Sequence, residues 1–192
     1  MKERIHEPLA ETLRGPGAIL LVSCYELGHQ PLGLASPLGF LERVGFTPEA
    51  LDIAVERFDR EKATRARFVG ISVPMHTALR LGVRVAEEVR RVNPRCHICF
   101  YGLYASLNAD YLLGQVADSV IGGEFETALG ALVEALQEGR AEAVQGVHRR
   151  GPPASPVLER LRFPVPSRHG LPRLEKYARL ERDGAPACRW RS

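Results

Sequence analysis

Phe68-Val69-Gly70-Ile71-Ser72-Val73-Pro74-Met75-His76-Thr77, continued by residues 78–92, is the stretch that decides the fold. Its first six residues form a mostly apolar run, short enough for one buried strand. In residues 78–92 the apolar side chains recur at helical spacing, with arginines opposite, and Asn93-Pro94 ends the predicted helix. A strand followed by a helix is half of a parallel α/β unit. Residues 72–77 therefore lie at the carboxyl end of a strand, where such sheets bind ligands.

Composition excludes several classes of protein. The 192 residues include 26 basic and 23 acidic side chains, and the net charge of +3 is too small to indicate nucleic-acid binding. The first seven residues lack the apolar core of a signal peptide, and no apolar run approaches the roughly 20 residues that span a bilayer. The four cysteines are too scattered for a disulfide scaffold. We therefore expect a cytoplasmic protein with neither nucleic-acid nor membrane partners.

Four further apolar runs predict strands, so that the five predicted strands lie at residues 18–24, 51–55, 68–73, 97–101 and 118–121. Helical segments alternate with them, including one that is predicted to begin at Ser36-Pro37, where serine caps and proline opens the first turn. This alternation predicts an α/β fold, a flavodoxin-like (Rossmann-like) doubly wound parallel five-stranded sheet of order 2-1-3-4-5.

The chain divides by composition into three parts. Residues 1–17 are a polar lead-in, and residues 18–138 form the predicted α/β domain. Residues 139–192 are rich in proline and arginine and have little to bury. We expect this irregular C-terminal tail to be a linker, or an arm that lies on a partner surface.

Loops after the first, third, fourth and fifth strands project from one edge of the predicted sheet. Their glycines allow a ligand close to the backbone, and helix amino-termini favour anionic groups. Each loop alone is explained by the needs of a turn, but four loops at one edge favour a ligand site. The candidate binding residues are Gly28, His29, Ser72, Pro74, Met75, His76, Thr77, Tyr101, Gly102, Leu103, Tyr104, Gly122, Gly123 and Glu124.

Several motifs are missing. No Gly-x-Gly-x-x-Gly fingerprint, phosphate-binding Gly-Lys-Thr or receiver-type acidic cluster is present. His29 and His76 could ligate a metal or the cobalt of a corrin, although a lone loop histidine is more often a polar surface residue. Cys96-His97-Ile98-Cys99 has metal-like spacing, yet on a strand Cys96 and Cys99 would face opposite sides. We predict neither a metal site nor a catalytic residue.

Three groups of residues resemble a known family. These are Pro31-Leu32-Gly33-Leu34-Ala35 after the first strand, residues 69–73 in the third, and residues 118–124 before the last helix. With Arg162-Phe163-Pro164-Val165-Pro166 and Lys176-Tyr177-Ala178 in the tail, they resemble the N-terminal cobalamin (vitamin B12)-binding domain of cobalamin-dependent radical S-adenosylmethionine (SAM) enzymes.

The resemblance implies that the sheet edge holds cobalamin against the loops at residues 72–77, 101–104 and 122–124. It also implies that the nucleotide tail of the cofactor enters the groove between sheet and helices, where the Ser72 hydroxyl could hydrogen-bond it. Residues 139–192 would then lead toward a radical SAM domain. The implied parent reaction class is radical-based methyl transfer or rearrangement.

Two departures from related patterns limit these expectations. The Asp-x-His-x-x-Gly motif of mutase-type cobalamin domains is replaced here by residues 26–33 with different spacing, so cobalt ligation by His29 is not expected. No Cys-x-x-x-Cys-x-x-Cys motif for an iron–sulfur cluster is present. We therefore expect a chain that is not catalytic alone and that presents cobalamin to a radical SAM domain, supplied in trans or lost. The alternatives are a protein-interaction module and a flavin-binding domain.

Overall fold

A computed structural model describes residues 13–140, 144–150 and 162–177, together with the backbone of residues 181–182 and 185–186. The strands of the main sheet lie in the order β2-β1-β3-β4-β5-β6. Their bounds are β1 (Ile19–Ser23), β2 (Glu49–Asp52), β3 (Phe68–Ser72), β4 (His97–Tyr101), β5 (Ser119–Ile121) and β6 (Val147–His148). Strands β1 to β5 are parallel, which confirms the predicted fold and the predicted order 2-1-3-4-5.

The sixth strand corrects the prediction of five. Strand β6 pairs antiparallel with β5, with Val147 opposite Ile121. Two residues are too few to show the alternation that identifies a strand, and only the exposed edge of β5 makes this pairing available. A separate antiparallel pair, β7 (Glu181–Arg182) with β8 (Ala185–Pro186), lies further along the chain.

Helices cover both faces of the main sheet. The described helices are α1 (Leu32–Arg43), α2 (Arg60–Arg65), α3 (His76–Val92), α4 (Leu103–Leu107), α5 (Ala109–Gln115) and α6 (Phe125–Gln137), with a short 3₁₀ turn at Leu174–Lys176. Two apolar clusters form the core. One lies between the sheet and α1 with α6, and the other lies between the opposite face and α2 to α5. The last residues of β1 to β4 face the cluster between the sheet and α1 with α6.

Helix α1 begins at Leu32, four residues before the predicted start at Ser36-Pro37. Its N-cap residue, Pro31, has no side chain that can cap the helix. The carboxylate of Glu26 does so instead, since it accepts hydrogen bonds from the backbone N–H groups of Leu32 at 2.9 Å and Gly33 at 3.3 Å. A cap supplied from outside the usual position leaves no local sequence signal, which is why the start was misplaced.

Pro37 therefore lies inside helix α1 rather than in its first turn. Proline has no N–H, so the carbonyl of Gly33, four residues earlier, loses the partner that residue 37 would normally supply. The hydroxyl of Tyr101, at the end of β4, donates a hydrogen bond to that carbonyl at 2.8 Å. A side chain of the sheet thus completes the backbone bonding of the helix.

Residues 162–177, called the strap below, run along the outer side of α1. The backbone N–H of Ser167 donates to the Ala35 carbonyl at 2.8 Å, and the ring of Phe163 packs edge-on against Phe40 with centroids 5.7 Å apart. Residues 162–177 of the predicted linker therefore lie on the domain's own helix. The place of the boundary near residue 138 stays a prediction.

The strap ends at the carboxyl edge of the sheet, where the buried Tyr177 hydroxyl donates a hydrogen bond of 2.7 Å to Asp52. None of the helices in the described ranges has the length and apolar character needed to cross a bilayer.

Replacing Tyr101 with phenylalanine keeps the ring and removes the hydroxyl that donates to the Gly33 carbonyl. We expect the free energy of unfolding to fall by about 1–2 kcal/mol, because the carbonyl of the half-buried Gly33 is left without a partner. In a Pro37→Ala background the restored N–H of residue 37 should reduce that loss by more than half. Urea denaturation of the four proteins measures the coupling, and equal losses in both backgrounds would contradict it.

Candidate functional site

The carboxyl edge of the sheet gathers the predicted binding residues, because parallel strands all end on the same side. His29, His76, Thr77, Leu103 and Gly123 are exposed there. A second group is half-buried, namely Gly28, Pro74, Met75, Tyr104 and Glu124. The buried group is Ser72, Tyr101, Gly102 and Gly122. The exposed and half-buried residues are the ones that a ligand on this edge could touch.

Exposed leucines stand near two of the connections that follow strands at this edge, those after β1 and after β4. Leu27 and Leu32, around the β1–α1 connection, are 61% and 52% exposed, and Leu103 and Leu107, on α4, are 62% and 70% exposed. These four side chains, called the leucine rim below, flank the loop that follows β3 in the centre of the sheet. Because they are exposed and apolar, these leucines are candidates for contact with a ligand. Of the four, only Leu103 was predicted from the sequence.

Two glycines at this edge serve the protein's own packing. Gly102 has φ +107°, and a Cβ there would lie 3.0 Å from the carbonyl oxygen of Val73. A Cβ at Gly122 would overlap the side chain of Ser106 on α4. Gly102 needs glycine because its φ is positive and the Val73 backbone is close, and Gly122 needs it because the Ser106 side chain is close. Their presence is therefore explained without a ligand.

A row of polar side chains crosses the sheet just beneath the rim. Asp52, Ser23, Ser72 and Tyr101 are the last residues of four neighbouring strands and stand in register with one another. All four are buried. By the alternation of each strand they face α1 and α6. This polar row lies where the resemblance predicts that a nucleotide tail enters.

Two of the predicted binding residues, Tyr101 and Ser72, lie between the sheet and α1 with α6. Tyr101 is fully buried, and its ring lies 4.8 Å, centroid to centroid, from the ring of Phe125. The Ser72 hydroxyl stands against Gly33, where any Cβ would overlap it. Ser72 is buried as expected, and its hydrogen bond to the nucleotide tail stays a prediction. Tyr101 is fully buried in this structure, and its contact with a ligand stays a prediction.

Two carboxyl groups at the polar row, those of Glu26 and Asp52, have raised pKa values. Burial raises the pKa of Glu26, and the hydrogen bonds from Leu32 and Gly33 oppose that rise. Burial also raises the pKa of Asp52, against the hydrogen bonds from Tyr177 and Ala54. Both groups favour the protonated form more than a solvated carboxyl does. The sequence signals only that Glu26 follows a strand, and it does not signal the Asp52–Tyr177 pair.

The predicted cysteine positions agree with the structure. Cys96 and Cys99 belong to the cores on opposite faces of the sheet, and burial raises the pKa of each thiol to about 12. Among the described residues, no three His, Cys, Asp or Glu side chains are grouped so that they could hold a metal ion. Cys188 lies outside the described residues.

Fold and edge together define a ligand-binding, doubly wound α/β domain. The B12-binding domain family model matches residues 18–133, more than half of the chain, and the chain therefore belongs to the B12-binding domain family. A comparison with curated proteins finds no match.

Two solved structures of the radical S-adenosylmethionine methyltransferase TsrM from Kitasatospora setae are similar. One holds its tryptophan substrate and a SAM analogue, with a TM-score of 0.59, 20% identity, and 70% of this chain and 28% of that chain covered. The other holds cobalamin and a [4Fe-4S] cluster, with a TM-score of 0.59, 19% identity, and coverage of 70% and 29%. The likeness shows a shared fold, and this chain spans less than a third of the length of that enzyme.

Replacing Glu26 with glutamine tests the electrostatics of the edge. A raised carboxyl pKa in the folded state means that the folded protein holds the proton longer, so stability falls as pH rises through the window just above the ordinary glutamate value. In the Glu26→Gln variant, the free energy of unfolding should fall less steeply with pH than in the wild type. In Glu138→Gln, which removes an exposed carboxylate, the slope should match the wild type. Urea denaturation at a series of pH values from 4 to 8 measures both slopes, and identical slopes would contradict the assignment.

Proposed function

We propose that this chain binds cobalamin at the carboxyl edge of its sheet, with the corrin lying on the leucine rim. The observation that carries the proposal is the group of exposed leucines at the edge where a B12-binding domain would be expected to hold its ligand. A corrin is a broad, nearly planar macrocycle with an apolar framework. Leu27 and Leu32 on one side and Leu103 and Leu107 on the other offer it matching apolar contacts.

Polar residues of the same edge would orient the ligand. The side chains of His29, His76 and Thr77 are exposed beside the rim, and Glu124 is half-buried next to the exposed Gly123. Corrin rings carry amide side chains that both donate and accept hydrogen bonds, which suits this mixed set. When bound, cobalamin supplies a cobalt centre that can carry an alkyl group. The residues of this chain would bind and orient that cofactor rather than react with it.

Presentation of cobalamin to a radical SAM domain is the second part of the proposal. The rim faces away from the sheet, so a ligand resting on it keeps its other face free for a second domain. The similar region of TsrM belongs to a chain described with cobalamin and a [4Fe-4S] cluster bound. This chain has no Cys-x-x-x-Cys-x-x-Cys motif, so we propose that it is not catalytic alone and that the cluster belongs to another domain or subunit.

The leucine rim is tested by exchanging one leucine. Purified protein mixed with hydroxocobalamin and desalted should stay red, and Leu103→Gln should weaken binding by about fivefold, since roughly 1 kcal/mol of apolar contact is lost. The matched control is Val44→Gln, which changes an exposed apolar side chain at the opposite end of α1 and should leave binding unchanged. Absorbance titration measures the affinities.

The outcomes of this experiment separate the three candidate functions. A red protein with a selective effect of Leu103→Gln supports cobalamin at the rim. A protein that instead retains yellow flavin contradicts the proposal in favour of a flavin-binding domain. A colourless protein after desalting contradicts it in favour of a protein-interaction module.

Docking of a radical SAM domain is tested on the exposed side of the strap. Phe163, Val165 and Leu174 are exposed there beside basic residues of the strap. If the strap contacts the second domain, changing Val165 and Leu174 to serine, with the Phe163–Phe40 contact left in place, should weaken capture of a separately produced cobalamin-dependent radical SAM domain by at least fivefold. Size-exclusion binding assays measure the capture, with Val44→Ser as control. Unchanged capture by the Val165→Ser, Leu174→Ser double variant would refute a role for these side chains of the strap.

A further inference from the structure

The connection between β1 and α1, residues 24–31, carries part of the leucine rim in a backbone conformation that needs support. Leu27 has φ +53°, in the left-handed region that a leucine rarely adopts, and Gly28 follows it with φ +77°. Leu27 is also exposed, so its side chain gains little from packing on the domain. A residue in this region keeps its conformation only where the surrounding structure fixes the backbone. The contacts of neighbouring residues must therefore hold this connection.

Bonds within the connection and to the start of α1 fix its first part. The backbone N–H of His29 donates to the Glu26 carbonyl at 2.9 Å. The Glu26 carboxylate in turn accepts from the backbone N–H groups of Leu32 and Gly33. These bonds close the turn onto the first residues of the helix.

Gln30, the residue after His29, bonds to the strap with both halves of its side-chain amide. Its Nε2 donates to the carbonyl of Pro172 at 2.9 Å, and its Oε1 accepts from the Arg168 guanidinium at 2.6 Å. Pro172 is buried, and the neighbouring Leu171 packs against the core cluster beside α1 and α6. The strap is therefore seated on the domain at the point where it bonds to the connection.

The strap is also anchored on either side of this contact. Before it, the backbone N–H of Ser167 donates to the Ala35 carbonyl at 2.8 Å. After it, the buried Tyr177 hydroxyl donates to the Asp52 carboxylate at 2.7 Å. Because this short segment is bonded at both ends, it can serve as a fixed support for the connection between them.

We infer that the strap is part of the ligand-binding unit, because it positions the β1–α1 connection through Gln30. Gln30 is a positioning residue, which acts on the ligand through the connection that presents Leu27 and His29. The inference rests on the proposed function. It extends the binding unit beyond the family match, since the B12-binding domain family model ends at residue 133 and the strap begins at residue 162. Because such coupling is reciprocal, a bound ligand also holds the strap on the domain.

Variants of Gln30 and Arg168 test the inference in the full chain. Gln30→Leu removes both bonds to the strap at similar side-chain size, and we expect it to weaken hydroxocobalamin binding by about fivefold. Arg168→Ala should weaken binding less, because the bond to Pro172 is kept, and Arg168→Lys, which keeps a donor, should restore the wild-type affinity. The matched control is Gln115→Leu, which changes an exposed glutamine at the end of α5. Absorbance titration measures the affinities.

The outcomes for the inference and for the proposed function are distinct. A Gln30→Leu protein that near-ultraviolet circular dichroism shows to be folded, and that keeps the wild-type affinity, would overturn the inference and leave the proposed function intact. Should that variant fail to fold, wild-type affinity in the exposed Arg168→Ala variant would overturn it instead. A wild-type chain that does not bind hydroxocobalamin would overturn the proposed function, and the inference with it.

Limited proteolysis tests the reciprocal effect of the ligand on the strap. Arg168, Arg173 and Lys176 are exposed on the strap and are sites for trypsin. In the wild type, saturating hydroxocobalamin should slow cleavage at these sites by about fivefold, and in Gln30→Leu it should have no such effect. Cleavage at the exposed Arg140, after α6, is the internal control and should not depend on the ligand. Mass spectrometry of the fragments identifies the sites.

The dependence on ligand separates positioning from a merely structural role. A loss of stability alone would raise the cleavage rate in Gln30→Leu without removing the protection by the ligand. Equal cleavage of the strap with and without bound hydroxocobalamin in the wild type would contradict the coupling and overturn the inference.

Discussion

The hydrogen bond from the Tyr101 hydroxyl to the Gly33 carbonyl ties the sheet to its first helix at the edge where a ligand is expected. It exists because Pro37 stands inside α1 and cannot donate to that carbonyl. The Tyr101–Gly33 bond replaces the hydrogen bond that Pro37 cannot make, and it also holds α1 in place on the sheet. The position of α1 in turn places Leu32 on the rim and Ser36 against Glu126.

The carboxyl edge thus has two layers of different character. Above is an open rim of leucines with mixed polar neighbours, and below is a buried polar row that is already satisfied by the protein. The B12-binding domain family model, which matches residues 18–133, covers both layers of this edge. In the lower layer, the rings of Tyr101 and Phe125 pack against each other.

The strap shows how a segment of unfavourable composition becomes part of a folded domain. Prolines and arginines offer few side chains to bury, and this is why residues 139–192 were interpreted as a linker. In residues 162–177 the attachment to α1 is made by the Ser167 backbone, by one aromatic contact of Phe163 and by the bond between Tyr177 and Asp52. An argument from composition considers side chains only, and so it cannot predict hydrogen bonds made by the backbone, such as the one from Ser167.

Local pattern alone was enough to predict the parallel strands, their order, most of the helices and the edge at which the candidate residues meet. Strand and helix periodicities are properties of neighbouring residues, and right-handed crossovers leave few ways to connect them. Tertiary structure alone decided that Glu26 caps the start of α1, that β6 joins the sheet, that the strap lies on α1 and that Tyr101 bonds to the Gly33 carbonyl. Each of these depends on a contact outside local periodicity, such as the 68 positions that separate Tyr101 from Gly33. Such contacts depend on which residues the fold brings together, and no short stretch of sequence carries that information.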